Sequence, residues 1–309
     1  MGKSIMLKLF VLPPKVFMLI ILICKKLQLI CLNEDFFMKI FYHCVWDYNE
    51  KDASFLELHS IPYKWYHEAN YSWLIVEIDE QNPYCSDVLS LAEGHLFYRY
   101  LSYTDRDLQK AEYLTIRAAN VSFNLENIDQ TFEFWEPSGG YGGYYHKKMK
   151  SDTFYIKKPI KWGKSHFKAS YDTGNTHLFC DDLACSILSQ YKEVSMLPVF
   201  HSRTKQGMEN EWYIRFEHVL PVEIIHVEKE KIYKCPACGM ETWLVGPDHQ
   251  LMLKKNELPT NRIMFKTPDI YSSGGNFRFP INVISHDIYV ILKQKNMTKN
   301  LVLEPVVLV

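Results

Sequence analysis

"HLFCDDLACSILSQYKEVSMLPVF", His177 to Phe200, and "INVISHDIYVILKQKNMTKNLVLEPVVL", Ile281 to Leu308, carry one pattern twice. Each opens on a short apolar run, breaks at a polar residue, continues with apolar residues at three and four spacing, and ends on a run containing proline. That order predicts strand, helix and strand in both stretches. Aligned by identity, Cys180 matches Ser285, Asp182 matches Asp287, Leu183 matches Ile288 and Pro198 matches Pro305. Asp182 and Asp287 fall in the first turn of each helix, where a carboxylate meets the positive end of the helix dipole. The pattern predicts an α+β fold with mixed and antiparallel sheets, short helices, and two related strand-helix-strand units in the C-terminal half. A helix packed between two strands is a scaffold and requires no catalysis. Cys180 and Cys185 read as buried small hydrophobes, since free cysteine is among the most buried residue types.

Upstream, "KIFYHCVW" (Lys39 to Trp46) and "YSWLIVEI" (Tyr71 to Ile78) are rich in β-branched and aromatic residues and predict strands, with "DEQNP" (Asp79 to Pro83) as a turn. "DRDLQKAEYLTIRAA", Asp105 to Ala119, predicts a helix with Asp105 at its start. "EPSGGYGGYYH", Glu136 to His146, has no Gly-Lys-Ser/Thr after it and so is no phosphate loop; it reads as a loop or domain junction. The expected organisation is a leader or mis-assigned start at 1–37, an acidic, aromatic-rich β domain at 38–137, a Gly-rich linker at 138–150, and an α+β domain at 151–309.

The leader reading rests on "KVFMLIILICKKLQLICL", Lys15 to Leu32. Its apolar run from Val16 to Cys24 is shorter than the ~20 residues that span a bilayer. No Ala, Gly, Ser or Thr occurs between Ile5 and Asp52, so no small-residue cleavage site is available. "MKIFYHCVWDY" looks like the start of a cytosolic domain, and translation is expected to begin at Met38. A cytoplasmic location without membrane attachment is expected.

Charge is uneven along the chain. Residues 39–136 carry seventeen Asp and Glu against seven Lys and Arg, a net of −10, with twenty Phe, Trp and Tyr. Residues 137–309 carry seventeen against twenty-three, a net of +6. The lysine-rich run Lys147 to Lys168 interleaves cations with rings, as a nucleic-acid groove would. Its pairs around Pro159 and Gly163 also fit the solvated rim of a hairpin.

"YKCPACGMETW", Tyr233 to Trp243, begins like a metal knuckle. Cys235 and Cys238 would present two thiolates on one turn, which zinc accepts, and Gly239 allows the left-handed backbone there. A closed site needs four ligands, and His218, His226 and His249 do not supply convincing spacing. Trp243 and Val245 suggest a hairpin around the turn. Zinc is the cofactor such a turn would hold; no other is expected.

Taken together, "CPACG", "RIMFKTPDIYSSGG" and "FPINVISHDIYVILKQKNMTKNLVLEPV" resemble the C-terminal part of immunity proteins from bacterial polymorphic toxin systems, in particular the double-CxxCG kind and its relatives. The matching positions are Cys235, Cys238, Gly239, Asp269, Tyr271, Ser285 and Pro305. That family has two cysteine turns and this chain has one. The resemblance implies a non-enzymatic protein that binds and neutralises a cognate protein toxin, with no catalytic residues to assign. A basic nuclease is one class of toxin that an acidic, ring-rich face would steer in. The expected contact carboxylates are Glu77, Asp79 and Glu80 in "IVEIDE", and Glu133 and Glu136 in "TFEFWEP". Nucleic acid is not the expected partner, and the alternative is a zinc-knuckle nucleic-acid-binding module built from the cysteine turn and the lysine run.

Overall fold

The computed structural model describes residues 39–68, 71–135, 146–220, 224–226, 232–234, 241–244, 250–258, 263–268, 271–272 and 279–309. The expected leader at 1–37 and positions 138–145 of the expected Gly-rich linker therefore lie outside the described residues, while His146–Met149 at the end of that linker forms a strand. Lys39–Val309 forms one compact unit.

Its first part is a complete small fold. Strand β1 (Lys39–Asp47) leads to helix α1 (Glu50–Leu58), strands β2 (Tyr63–Glu68) and β3 (Tyr71–Asp79), helix α2 (Cys85–Leu91) and strand β4 (Leu96–Ser102). The sheet order is β2-β3-β1-β4, antiparallel throughout. Since β1 and β2 both run antiparallel to β3, they are parallel to each other, with α1 between them in sequence. The same holds for β3 and β4 about β1, with α2 between. Two interlocked split β-α-β units in this order make the ferredoxin-like connection. Asn49 caps α1 by accepting the Asp52 N–H at 2.8 Å. The Trp46 indole donates to Asp52 at 2.9 Å and ties the helix to β1. Cys44, Trp46, Leu74, Val76 and Ile78 pack with Leu56, Val88 and Ala92 into a core drawn wholly from this part.

The predicted helix over 105–119 divides. Helix α3 (Asp105–Lys110) starts from a capping box in which Thr104 and Asp107 satisfy each other's backbone, so Thr104 is the cap and not Asp105. Ala111 then turns extended, and strand β5 (Tyr113–Ala118) follows. Leu114, Thr115 and Ile116 are all buried, as in a central strand. Strand β6 (Val121–Phe123), helix α4 (Ile128–Thr131), the pair β7 (Phe132–Trp135) and β8 (His146–Met149), β9 (Tyr155–Ile156) and β10 (Phe167–Ser170) come next.

The first repeat stretch gives β11 (Phe179–Cys180), α5 (Asp182–Leu188) and β12 (Val194–His201), then β13 (Gly207–Phe216). These join a six-stranded sheet of order β6-β10-β11-β13-β12-β9, where β13 runs antiparallel to both β11 and β12. Phe154, Ile156, Phe179, Val199 and Tyr213 fill its core. β9 sits at one edge while β10 lies at the other side, so Lys157, Lys158, Lys161 and Lys164 occupy an exposed connection and not a hairpin rim.

Short strands follow: β14 (Ile224–His226), β15 (Ile232–Lys234), β16 (Glu241–Leu244), β17 (Leu251–Leu253), β18 (Met264–Lys266) and β19 (Tyr271–Ser272). The second repeat stretch gives β20 (Asn282–Ser285), α6 (His286–Gln294) and β21 (Leu301–Pro305), with β22 (Val307–Leu308) last. Here the sheet order is β18-β20-β5-β21, and β5 is antiparallel to both β20 and β21. The expected division between 38–137 and 151–309 is thus crossed inside a sheet, because β5 of the first segment is the middle strand for two strands of the last. A second small sheet of order β14-β17-β22 packs Leu251, Leu253 and Leu220 against Phe265, Val283 and Val306.

Both repeat units are therefore split β-α-β units, each with one antiparallel strand inserted. Their register differs by one residue from the identity alignment. The caps are Asp181 and Ser285, and the inward residues Ala184 and Leu188 correspond to Ile288 and Leu292, while Leu183 is half-exposed. A carboxylate is tolerated anywhere in a first helical turn, so the shared Asp does not fix register. The inward apolar positions do.

Candidate functional site

Period-two alternation assigns the residues of the first sheet to two faces. One face carries the core residues beneath α1 and α2. The other, uncovered by either helix, holds Phe41, His43, Val45 and Asp47 on β1. Opposite them in register stand Asp79, Glu77, Ile75 and Trp73 on β3. Beyond β3 the edge strand β2 adds Lys64, Tyr66 and Glu68, opposite Ile75, Trp73 and Tyr71. Residues 39–102 hold ten Asp and Glu against four Lys and Arg, a net of −6.

Rings on this face are arranged in pairs. Tyr66 and Trp73 stack at 5.7 Å between centroids and 18° between planes, and Tyr71 and Trp73 at 5.9 Å and 4°. Phe41 and Tyr100 stack across β1 and β4 at 5.7 Å and 20°. Tyr66 and Tyr71 are 50% and 64% exposed, a large aromatic area to leave in water. Trp65, on the opposite face of the same hairpin, is 60% exposed and stacks on Tyr48 at 5.0 Å.

Of the carboxylates singled out in the sequence, three come together at the end of β3, and each has a partner. His43 Nδ1 lies 3.4 Å from Glu77, and Lys39 lies 3.5 Å from Asp79. Glu80 accepts from the Tyr42 hydroxyl at 3.2 Å, with Arg99 at 4.0 Å. Burial first, and then Glu80, push the Tyr42 hydroxyl above its ordinary value. Glu133 is exposed on β7, opposite Lys148 of β8, in a different sheet. Glu136 lies outside the described residues. Two exposed carboxylates that sequence reading passed over, Asp47 and Glu68, flank the Trp73 ring stack. Along β3, Tyr71, Trp73, Ile75, Glu77 and Asp79 alternate with Leu74, Val76 and Ile78 and separate a wet face from a core face, but strand register alone brings Asp47 and Glu68 beside Trp73.

Cys235 and Cys238 also lie outside the described residues. β15 and β16, on either side of them in sequence, pair antiparallel from Ile232↔Trp243 to Lys234↔Glu241, as the arms of a hairpin do. Among the described residues no group of three His, Cys, Asp or Glu side chains is placed to hold a metal ion. Burial pushes the Cys44 thiol to about 11 and Cys180 well above its usual value, and raises Cys85 and Cys185. None of these four is held as a thiolate at neutral pH.

Glu211 is one of the carboxylates buried elsewhere. Between the pairs Pro198↔Trp212 and Phe200↔Gly207, Met208 to Glu211 on β13 face the single residue Val199 on β12, a large bulge with Asn210 left-handed at φ 63°. Glu211 Oε1 accepts the Ile160 N–H at 3.1 Å, while Oε2 is buried without a hydrogen-bond partner among the described residues. Desolvation raises its pKa. Glu211, Ile160 and His201 line an open groove of about 600 Å³. His201 Nδ1 accepts backbone N–H bonds from Arg203 and Thr204 at 3.3 and 3.2 Å, which commits the imidazole to bracing its turn.

No helix among the described residues is long and apolar enough to cross a membrane. Compared with known proteins, the chain matches no family model, no curated protein and no solved structure.

Proposed function

We propose that this chain is a non-enzymatic binding protein of the immunity type, which acts in the cytoplasm by occupying a basic protein toxin. The supporting observation is the open face of the β2-β3-β1-β4 sheet, where exposed rings stand among carboxylates on a part of the chain with a net charge of −6. Aromatic residues supply the buried anchors of protein interfaces, and an acidic surround speeds encounter with a basic partner. A toxin that handles phosphates is basic for its own reasons. The test is co-expression with the toxin domain of a secreted protein encoded beside this chain. Cells are expected to survive, the two proteins to co-purify, and affinity to weaken as salt rises. Survival that depends on this chain without a complex at any salt concentration, or no survival at all, ends the proposal.

A second reading is a nucleic-acid module. Rings on an open four-stranded sheet are also how RNA-recognition domains stack bases. The carboxylates on the same face oppose a phosphate backbone, which favours the protein partner. Zinc at Cys235 and Cys238 together with salt-dependent binding of single-stranded RNA would reverse that preference, with metal analysis and a filter-binding titration as the measurements.

A further inference from the structure

We infer that the open face contains a guanidinium site, formed by Tyr66, Trp73 and Tyr71 with Asp47 and Glu68, which takes an arginine side chain of the partner. This rests on the reading that the face meets a basic protein, and it moves the point of contact away from Glu77, Asp79 and Glu80.

The strand register brings the five residues together. Trp73 on β3 stands opposite Tyr66 on β2 and Asp47 on β1, and Tyr71 stands opposite Glu68. Directly opposite residues in an antiparallel pair share a face, with Cβ atoms about 5 Å apart. Trp73 is thus the centre of a three-ring stack, 5.7 Å from Tyr66 and 5.9 Å from Tyr71, with planes within 18° and 4°. The two outer rings, Tyr66 and Tyr71, are the exposed ones, with half or more of their surface open to a partner.

Asp47 and Glu68 are exposed, and neither forms an ion pair among the described residues. Asp79 and Glu80 already face the cations Lys39 and Arg99, and Glu77 is within reach of the His43 ring. A partner's cation gains more beside a carboxylate that it does not have to share. Lys64 is the cation nearest along the same face, two positions from Tyr66 and opposite Ile75, and it forms no ion pair with either carboxylate.

The geometry selects arginine over lysine. A guanidinium is planar, stacks flat on an aromatic ring, sheds its hydration easily and meets a carboxylate with two parallel N–H bonds. An ammonium is a compact, strongly hydrated point charge that gains less from a stack of parallel rings. Cation–π contact at an exposed ring strengthens binding about two- to fivefold. Two such rings with flanking carboxylates are enough for a measurable preference.

The test uses the full chain and two acetylated, amidated peptides of equal length and charge, one of arginine and one of lysine. Binding is followed by the Trp73 indole N–H signal in NMR at fixed salt. The arginine peptide is expected to bind about fivefold more tightly. Tyr66→Ala with Tyr71→Ala should abolish that preference, Tyr66→Phe with Tyr71→Phe should keep it, and Asp47→Asn with Glu68→Gln should weaken both peptides. Equal affinities, a preference that survives loss of both rings, or no binding of either peptide overturns the site. Neutralisation of a toxin is read separately from co-expression, so a failed guanidinium site and a failed immunity role give different results.

Discussion

The sheet of residues 39–102 and the sheet that holds β20 and β21 are built from the same split β-α-β unit but close in different ways. In the first, both middle strands come from within residues 39–102: β3 sits between β1 and β2, and β1 between β3 and β4. In the second, the middle strand β5 comes from far upstream, pairing Thr115 with Val283 on one side and with Glu304 on the other. The six-stranded sheet resembles the first case, because its middle strand β13 follows β12 through a short turn. One local motif therefore tolerates a middle strand of any origin, while the distance to that strand decides which stretch of chain can fold alone. Non-local pairing is entropically costly until the partner strand arrives.

The largest expected effect separates the regions outright. Residues 39–103 should fold alone, with a cooperative thermal transition and dispersed amide signals. Residues 151–309 should not, because without β5 the facing edges of β20 and β21 are unpaired and their apolar faces exposed. Extending that fragment back to Thr104 restores β5 and should restore folding. A well-folded 151–309 fragment would break the comparison.

Single core truncations should sharpen it. Leu74 and Leu114 are both fully buried, and either changed to Ala should lose about 2–5 kcal/mol. In native-state hydrogen exchange, Leu74→Ala should loosen the amides of β1 to β4, and Leu114→Ala those of β5, β20 and β21. Uniform loosening in both variants would mean that the two regions unfold as one.

The smallest effect concerns β13. Glu211 has a folded pKa raised above the ordinary 4.5, so between these values the folded state binds more protons than the unfolded state. Stability should therefore fall as pH rises through that window and level off above the folded value. Glu211→Gln should flatten this part of the urea-midpoint profile against pH. An unchanged slope would remove Glu211 as its source.

Much of the architecture could be read from residue pattern. The duplicated strand-helix-strand stretches, the β-rich acidic first part and the hairpin around the cysteine turn all follow from local periodicity and turn chemistry. Where local signals were ambiguous, they misled. Charges at three and four spacing carried the predicted helix past Ala111, yet "YLTIRA" is β-branched and aromatic, and only two flanking strands make it extended. The carboxylate cluster at Glu77, Asp79 and Glu80 stands out in sequence because its members are close together along the chain. Asp47, Glu68 and Trp73 do not, because they lie on three strands and meet only through register.

Sequence alone thus determined the kinds of element, the two faces of each strand and the sign of the charge on the first part, since those depend on neighbours a few positions apart. Tertiary structure decided which strand fills the middle of each split unit, where the foldable regions end, and which acids and rings share a surface. Those outcomes depend on hydrogen-bonded pairing between distant strands, and a row of residues records each strand's capacity to pair without recording the choice of partner.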